Sequence, residues 1–162
     1  MADNTKDKTA GSIYDGLPDY QEHQFDALKF INEQVIAFNK HIKLQVVAAK
    51  DGYGKVEVPY QEFLLGNPVR PALHGCIVAS ILDSVGGVAA MTTLTSYEDK
   101  ISTIDLRIDY LAPANTETLI AEGRVLRSGG STVVTDLSIH HGDPDKPVAY
   151  GRAAYNVKRV GK

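Results

Sequence analysis

Between residues 24 and 39, Phe25, Leu28, Ile31, Val35, Ile36 and Phe38 recur at spacings near the helical period, which predicts one amphipathic helix covering an edge or end of a core. Residues 44–49 (LQVVAA) and 55–60 (KVEVPY) are rich in β-branched side chains and flank Asp51-Gly52-Tyr53-Gly54, a turn composition that predicts a hairpin. The stretch 61–75 carries Pro68, Pro71 and two glycines and reads as a structured loop. From Leu73 to about Thr93 nearly every face is apolar, the pattern of a buried helix around which the rest of the chain wraps. Four further runs, 102–113, 118–127, 131–140 and 147–157, alternate or are strongly β-branched. Their connections, 114–117, 128–130 and 141–146, are short and of turn composition, so a meander of antiparallel neighbours is expected.

A hairpin, one long buried helix and then a run of strands describe an α+β domain whose antiparallel sheet curls around a central helix. The chain has 162 residues, the size of one domain, expected over 21–162 behind a flexible polar tail, 1–20. Hydrophobic content of 43% and charged content of 23% exclude a disordered or collagen-like chain. With a net charge of −3 and scattered basic residues, nucleic acid is not an expected partner. The single cysteine, Cys76, forms neither an internal disulfide nor a thiolate metal cage, which fits a reducing, cytoplasmic setting. The first 16 residues lack the apolar core of a secretory signal. The longest apolar stretch, 77–91, contains Asp83 and falls short of the ~20 residues that span a bilayer, so no membrane partner is expected.

The chemistry concentrates in residues 67–87, NPVRPALHGCIVASILDSVGG. Asp83 lies within the apolar helix, where an unpartnered carboxylate is costly. It is either paired structurally, for example with Arg107, or it is a working group. Gly75 falls at the start of the same helix, where unpaired amides and the positive end of the dipole favour developing negative charge; a glycine there also simply lets the chain turn. Eight residues of helix, a rise of roughly 12 Å, separate the two, so one helix cannot bring both to one carbonyl. A two-fold dimer could bring Gly75 of one subunit to Asp83 of the other. Two weaker signals are Cys76 beside His74, as a nucleophile or as a small packing residue, and the His140, His141 and Asp143 group. Neighbouring strand residues face opposite ways, so that group converges poorly on a metal.

An Asn, a loop, His-Gly, a carboxylate nine residues after the His, and a later strand ending in Tyr110-Leu111-Ala112-Pro113 together resemble the PaaI-like thioesterase branch of the hotdog-fold superfamily. The likeness runs from about Leu44 to Val157. It implies five or six antiparallel strands wrapped around one long helix, with active sites at a dimer interface. Through it, Asp83 is the expected general base or nucleophile, and the Gly75 amide is expected to polarise the thioester carbonyl. Asn67 is expected to add a polar contact, His74 to shape the turn, and Thr103 to orient the nucleophilic water. This chain reads His-Gly-Cys where the family commonly reads His-Gly-Gly, so Cys76 is expected to narrow the pocket. The turn Arg127-Ser128-Gly129-Gly130 is expected to meet the coenzyme A phosphates, or to be a plain hairpin.

Thioester hydrolysis needs a base or nucleophile, an oxyanion site and a slot that excludes water. Asp83, Gly75 and an apolar helix face with Ile77, Ile81 and Met91 could supply them. The expected function is hydrolysis of an acyl-coenzyme A by a homodimer or dimer of dimers, without metal or bound cofactor. Two rivals remain: a hotdog dehydratase or hydratase using His74 with Asp83, and a non-catalytic acyl-thioester binding module.

Overall fold

The β-branched hairpin forms with a tighter turn than its composition predicts. Lys50 pairs with Tyr53, so Asp51 and Gly52 alone make the turn, both with positive φ (50° and 78°), the backbone of a two-residue type I′ loop. Tyr53 and Gly54, expected in the turn, belong to the second strand. The structure, a computed structural model, describes residues 19–160, so most of the tail expected over 1–20 lies outside the described residues. Strands β1 (Gln45–Lys50), β2 (Tyr53–Val58), β5 (Lys100–Tyr110), β6 (Leu119–Ser128), β7 (Thr132–His140) and β8 (Ala149–Lys158) make one antiparallel sheet, and β3 (Leu65–Asn67) pairs with β4 (Ala72–Leu73) in the loop before the long helix.

The sheet order is β1-β2-β6-β7-β8-β5, so the expected meander is incomplete: β5 pairs with β8, not with its sequence neighbour β6. Alternation specifies which face of a strand is buried but not which strand lies beside it. The connection 111–118 therefore crosses the end of the sheet. Leu111 and Ala112 donate to the Val148 carbonyl (2.9 and 3.1 Å), Leu73 donates to Ala114 (2.8 Å), and the Asn115 amide donates to His141 Nε2 (2.9 Å). His141 thus serves the loop, and His140 Nδ1 accepts the Gly142 amide (2.9 Å). Among the described residues no group of three or more His, Cys, Asp or Glu side chains is arranged to hold a metal.

Helix α3 (Gly75–Met91) lies on β6, β2 and β7. Ile81, Leu82, Val85 and Val88 are fully buried against the sheet, each stabilising the fold by about 1.5–3 kcal/mol. Gly54 and Gly123 face each other across β2 and β6 directly beneath the helix; a Cβ at either would stand 2.9 Å from backbone of Ala89 or Val85. The helix is not apolar all round. Cys76, Ser80, the adjacent pair Asp83 and Ser84, Gly87 and Met91, at steps of three or four residues, form a stripe that the sheet does not cover. Ile77 and Ile81, expected along a substrate slot, point into the core instead.

The helix expected over 24–39 is broken. It comprises α1 (Gln24–Phe30), a π-turn at Ile31–Val35 closed by the Ile36 amide on the Ile31 carbonyl (3.0 Å), an extended Ile36 and α2 (Ala37–His41). Polar anchoring overrides the apolar period. Asn32 and Asn39 are buried, Asn32 Nδ2 donating to the Leu28 carbonyl (2.9 Å) and Asn39 Nδ2 to Asn32 Oδ1 (3.3 Å), while Phe25, Val35 and Phe38 stay exposed. Among the described residues no helix is long and apolar enough to cross a membrane.

Candidate active site

Asp83 sits midway along the open stripe of α3, facing the edge strand β5. The register of β5 on β8 places Thr103 opposite Tyr155, which brings two hydroxyls to one carboxylate. Thr103 Oγ1 donates to Asp83 Oδ1 at 2.9 Å; the Tyr155 hydroxyl donates to the Asp83 backbone carbonyl at 2.8 Å and lies 3.5 Å from Oδ1. Immediately after Thr103 the register slips by one residue at Ile104, a bulge that re-aims the strand beside the site. Tyr155 is buried and fits against α3 because residue 86 is glycine: a Cβ there would run into the hydroxyl. Burial, reinforced by the nearby carboxylate, pushes the Tyr155 phenol well above the ordinary tyrosine range, so it stays a neutral donor.

Among the described residues no cation pairs with Asp83. Arg107, the structural partner considered from sequence, points to the outer face of the sheet and bonds Asp109 at 3.3 Å. Asp83 opens into a cleft of about 380 Å³. Its apolar walls are Ile36, Phe38, Met91 and Ile101; Asn39, Ser80, Ser84, Ser102 and Thr103 supply polar ones. The break at Ile36 lets α2 roof the cleft, and Ser84 Oγ donates to Asn39 Oδ1 (3.1 Å), tying that roof to α3.

The other end of α3 is built separately. His74 is the N-cap, its Nδ1 accepting the Cys76 amide at 3.1 Å, while the Ile77 amide donates to the His74 carbonyl at 2.9 Å. The Gly75 amide has no acceptor among the described residues and lies exposed at the positive end of a 17-residue helix. The Tyr110 hydroxyl donates to the Gly75 carbonyl at 2.9 Å, and its ring packs over this turn. Within one chain the amide at Gly75 and the carboxylate at Asp83 stay apart, as the ~12 Å helical rise requires.

Asn67 turns its side chain onto its own loop, Oδ1 accepting the Val69 and Arg70 amides at 3.0 and 3.1 Å. Cys76 is exposed near the helix mouth and does not line the Asp83 cleft. Arg127 and Ser128 are exposed at the end of β6, while the Gly129 amide donates to Thr132 (2.8 Å) and the Gly129 and Gly130 carbonyls accept Arg159 (3.1 and 2.8 Å). The structure therefore joins Asp83 to Thr103 and groups His74, Gly75 and Cys76; Asn67 and 127–129 lie outside the cleft. Sequence reasoning did not single out Tyr155, Asn39 or Ser84. For Tyr155 a signal existed, since it shares inward parity with Ala149, Ala153 and Val157.

The family model described as Thioesterase superfamily matches residues 71–148. The medium/long-chain acyl-CoA thioesterase YigI of Escherichia coli (strain K12) is 28% identical over 146 residues, covering 81% of this chain and 94% of that protein. A Halobacterium salinarum protein provisionally named an esterase is 33% identical over 124 residues, covering 72% and 81%. Among solved structures, a Shewanella oneidensis protein related to the thioesterase superfamily superposes with a TM-score of 0.75 at 23% identity, covering 85% of this chain and 97% of its own. A Haemophilus influenzae thioesterase superposes with a TM-score of 0.71 at 16% identity, covering 83% and 92%. These two likenesses speak for the fold. Together with the six-stranded sheet around α3, the sequence matches show that the chain belongs to the hotdog-fold thioesterase superfamily and is a thioester hydrolase.

Proposed function

We propose that the protein is an acyl-coenzyme A thioesterase of the PaaI-like type, working as a homodimer or dimer of dimers, with Asp83 as its catalytic carboxylate. The observation that carries this reading is a carboxylate with no cation beside it among the described residues, oriented by the Thr103 hydroxyl and opening into a mostly apolar cleft. The named activity of the YigI relative supports coenzyme A as the thiol carrier.

In the proposed reaction Asp83 accepts a proton from water as the water oxygen bonds to the thioester carbon. The carbonyl oxygen becomes an oxyanion held by the Gly75 amide of the partner subunit. The tetrahedral intermediate collapses, the carbon–sulfur bond breaks, and the coenzyme A thiolate leaves, later taking the proton. Free acid and coenzyme A are the products. Thiolate departure needs no strong general acid, and the chemistry needs no metal or cofactor. Thr103 orients carboxylate and water, His74 shapes the mouth of α3, and Asn67, Cys76, Arg127, Ser128 and Gly129 belong to the outer contacts of the substrate.

Strand β5 supports the dimer. It is an 11-residue sheet edge with Ile104 and Tyr110, and Leu111 just beyond its end, more than half exposed, an open edge of the kind that pairs with another chain. The same strand holds Thr103, so pairing there would set a partner beside the cleft. A reducing, cytoplasmic setting fits the exposed thiol of Cys76. His74 spends Nδ1 on its own helix cap, which disfavours the dehydratase pairing with Asp83. Assaying loss of thioester absorbance on acyl-coenzyme A esters, with size-exclusion mass measurement, tests the reading. Turnover by a dimer or tetramer supports it; a folded protein inert on all acyl esters, or active as a monomer, rejects it.

A further inference from the structure

A second cavity of about 360 Å³ lies beyond the C-terminal half of α3, lined chiefly by Tyr20, Leu28, Ile31, Leu94 and Tyr97. It shares two wall residues with the Asp83 cleft, Met91 and Ile101. The route between Asp83 and that boundary is open: Asp83, Gly87 and Met91 stand four residues apart on one face, and a Cβ on Gly87 would meet nothing closer than the Tyr155 ring at 3.9 Å. Met91 lies roughly 12 Å along the helix from Asp83. The boundary is anchored at its backbone, because the Tyr20 hydroxyl donates to the Met91 carbonyl at 2.8 Å. What remains movable is the Met91 thioether chain, unbranched and adaptable.

We infer that Met91 and Ile101 form the gate through which a long acyl tail, its thioester carbon placed beside Asp83, passes from the cleft into the second cavity, so that these residues set the chain length accepted. The inference rests on the acyl-thioester reading of the cleft. The second cavity suits an aliphatic tail. Tyr20 and Tyr97 present ring surface, packed edge to face at 4.9 Å, beside leucine and isoleucine side chains. Its one buried carboxylate is already satisfied: Asp99 accepts the Thr95 and Ser96 amides and the Thr95 hydroxyl on one oxygen and the Val160 amide on the other. Lys100, which also lines the cavity, is exposed and keeps its ammonium in water, so an entering methylene chain strands no charge. Short acyl groups would end within the cleft and never meet the gate.

The test compares kcat/KM on butanoyl-, octanoyl-, dodecanoyl- and hexadecanoyl-coenzyme A for the wild type, Met91→Ala, Ile31→Trp and the milder Leu94→Phe. Ile31 and Leu94 line only the second cavity. Filling it should lower the hexadecanoyl-to-butanoyl ratio about tenfold or more, the size expected from losing burial of a few methylene groups. Met91→Ala should raise the ratio. Folded variants, checked by circular dichroism, that all keep the wild-type profile would overturn the gate. Calorimetric binding of hexadecanoate to the same proteins separates the two readings. Binding that Ile31→Trp abolishes, in a protein that hydrolyses nothing, fails the hydrolase reading alone; hydrolysis with an unshifted profile fails the gate alone.

Discussion

Two concave surfaces lie on opposite faces of the sheet, and the larger one is chemically the quieter. On the outer face a groove of about 560 Å³ runs across β6, β7, β8 and β5. Arg124, Asp136, Arg152 and Arg107 sit in one register across those strands. Their charges are answered locally: Arg152 bonds Asp136 at 2.7 Å, Arg107 bonds Asp109 at 3.3 Å, and the Arg124 guanidinium stacks 4.5 Å above the Tyr53 ring. On the inner face a cleft of about 380 Å³ holds one carboxylate, Asp83, with two hydroxyls and, among the described residues, no cation. Volume alone would choose the outer groove; the arrangement of polar groups favours the cleft. Asp83 is oriented by hydroxyls alone and opens into an apolar cleft, whereas Asp136 is engaged by the Arg152 guanidinium.

The sharpest way to break this comparison is Asp83→Asn, which keeps shape and removes the base. Activity on acyl-coenzyme A esters should fall by about 10²–10⁴-fold with the melting temperature nearly unchanged. Retained turnover would move the base elsewhere. Thr103→Val should cost about tenfold in kcat, the effect of losing one hydrogen bond to a charged group, with a smaller change in KM. Tyr155→Phe should act more on the fold than on turnover. It leaves the Asp83 carbonyl without its 2.8 Å donor and should lower stability in urea by about 1 kcal/mol, with a loss of activity of about threefold.

A pH titration sharpens the same contrast. Burial holds the phenols of Tyr20 and Tyr155 above the ordinary tyrosine range and pushes Tyr53 up to about 12. Above pH 10 the unfolded chain releases phenolic protons that the folded chain keeps, so folded protein binds more protons and stability falls as pH rises. Urea melts at pH 8, 10 and 11 should show that decline, with a flatter slope in Tyr155→Phe. The smallest effect is expected on the outer face. Arg152→Ala breaks an exposed, solvent-screened pair and should leave the urea midpoint nearly unchanged and activity within about twofold of the wild type. A large loss there would bring the outer groove back as a functional surface.

The periodic features of this chain were legible as it stands written. The strands appear within a few residues of their alternating runs, and α3 occupies most of the apolar stretch in which Asp83 interrupts the pattern. Thr103 came from the family likeness, and β5 carries it to Asp83. What went astray depended on partners distant in sequence. Pairing β5 with β8 rather than β6 follows from which edges are free once β2 has taken β6, and alternation is silent on that choice. The amphipathic helix expected over 24–39 breaks because Asn32 and Asn39 find buried acceptors, one of them linked to Ser84, 45 residues further along the chain.

Residue chemistry and short-range spacing therefore determined most of the elements, the carboxylate within the apolar helix and the ~12 Å that separates it from the glycine amide on the same helix, because those depend only on local periodicity. Tertiary structure alone decided that Tyr155 would lie beside Thr103, that the open stripe of α3 would face a cleft under Ile36 and Phe38, and that Met91 and Ile101 would stand between two cavities. Each of those outcomes is a meeting of side chains from different elements, set by strand register and by how closely a helix can approach a sheet through Gly54, Gly86 and Gly123. No local pattern encodes such a meeting.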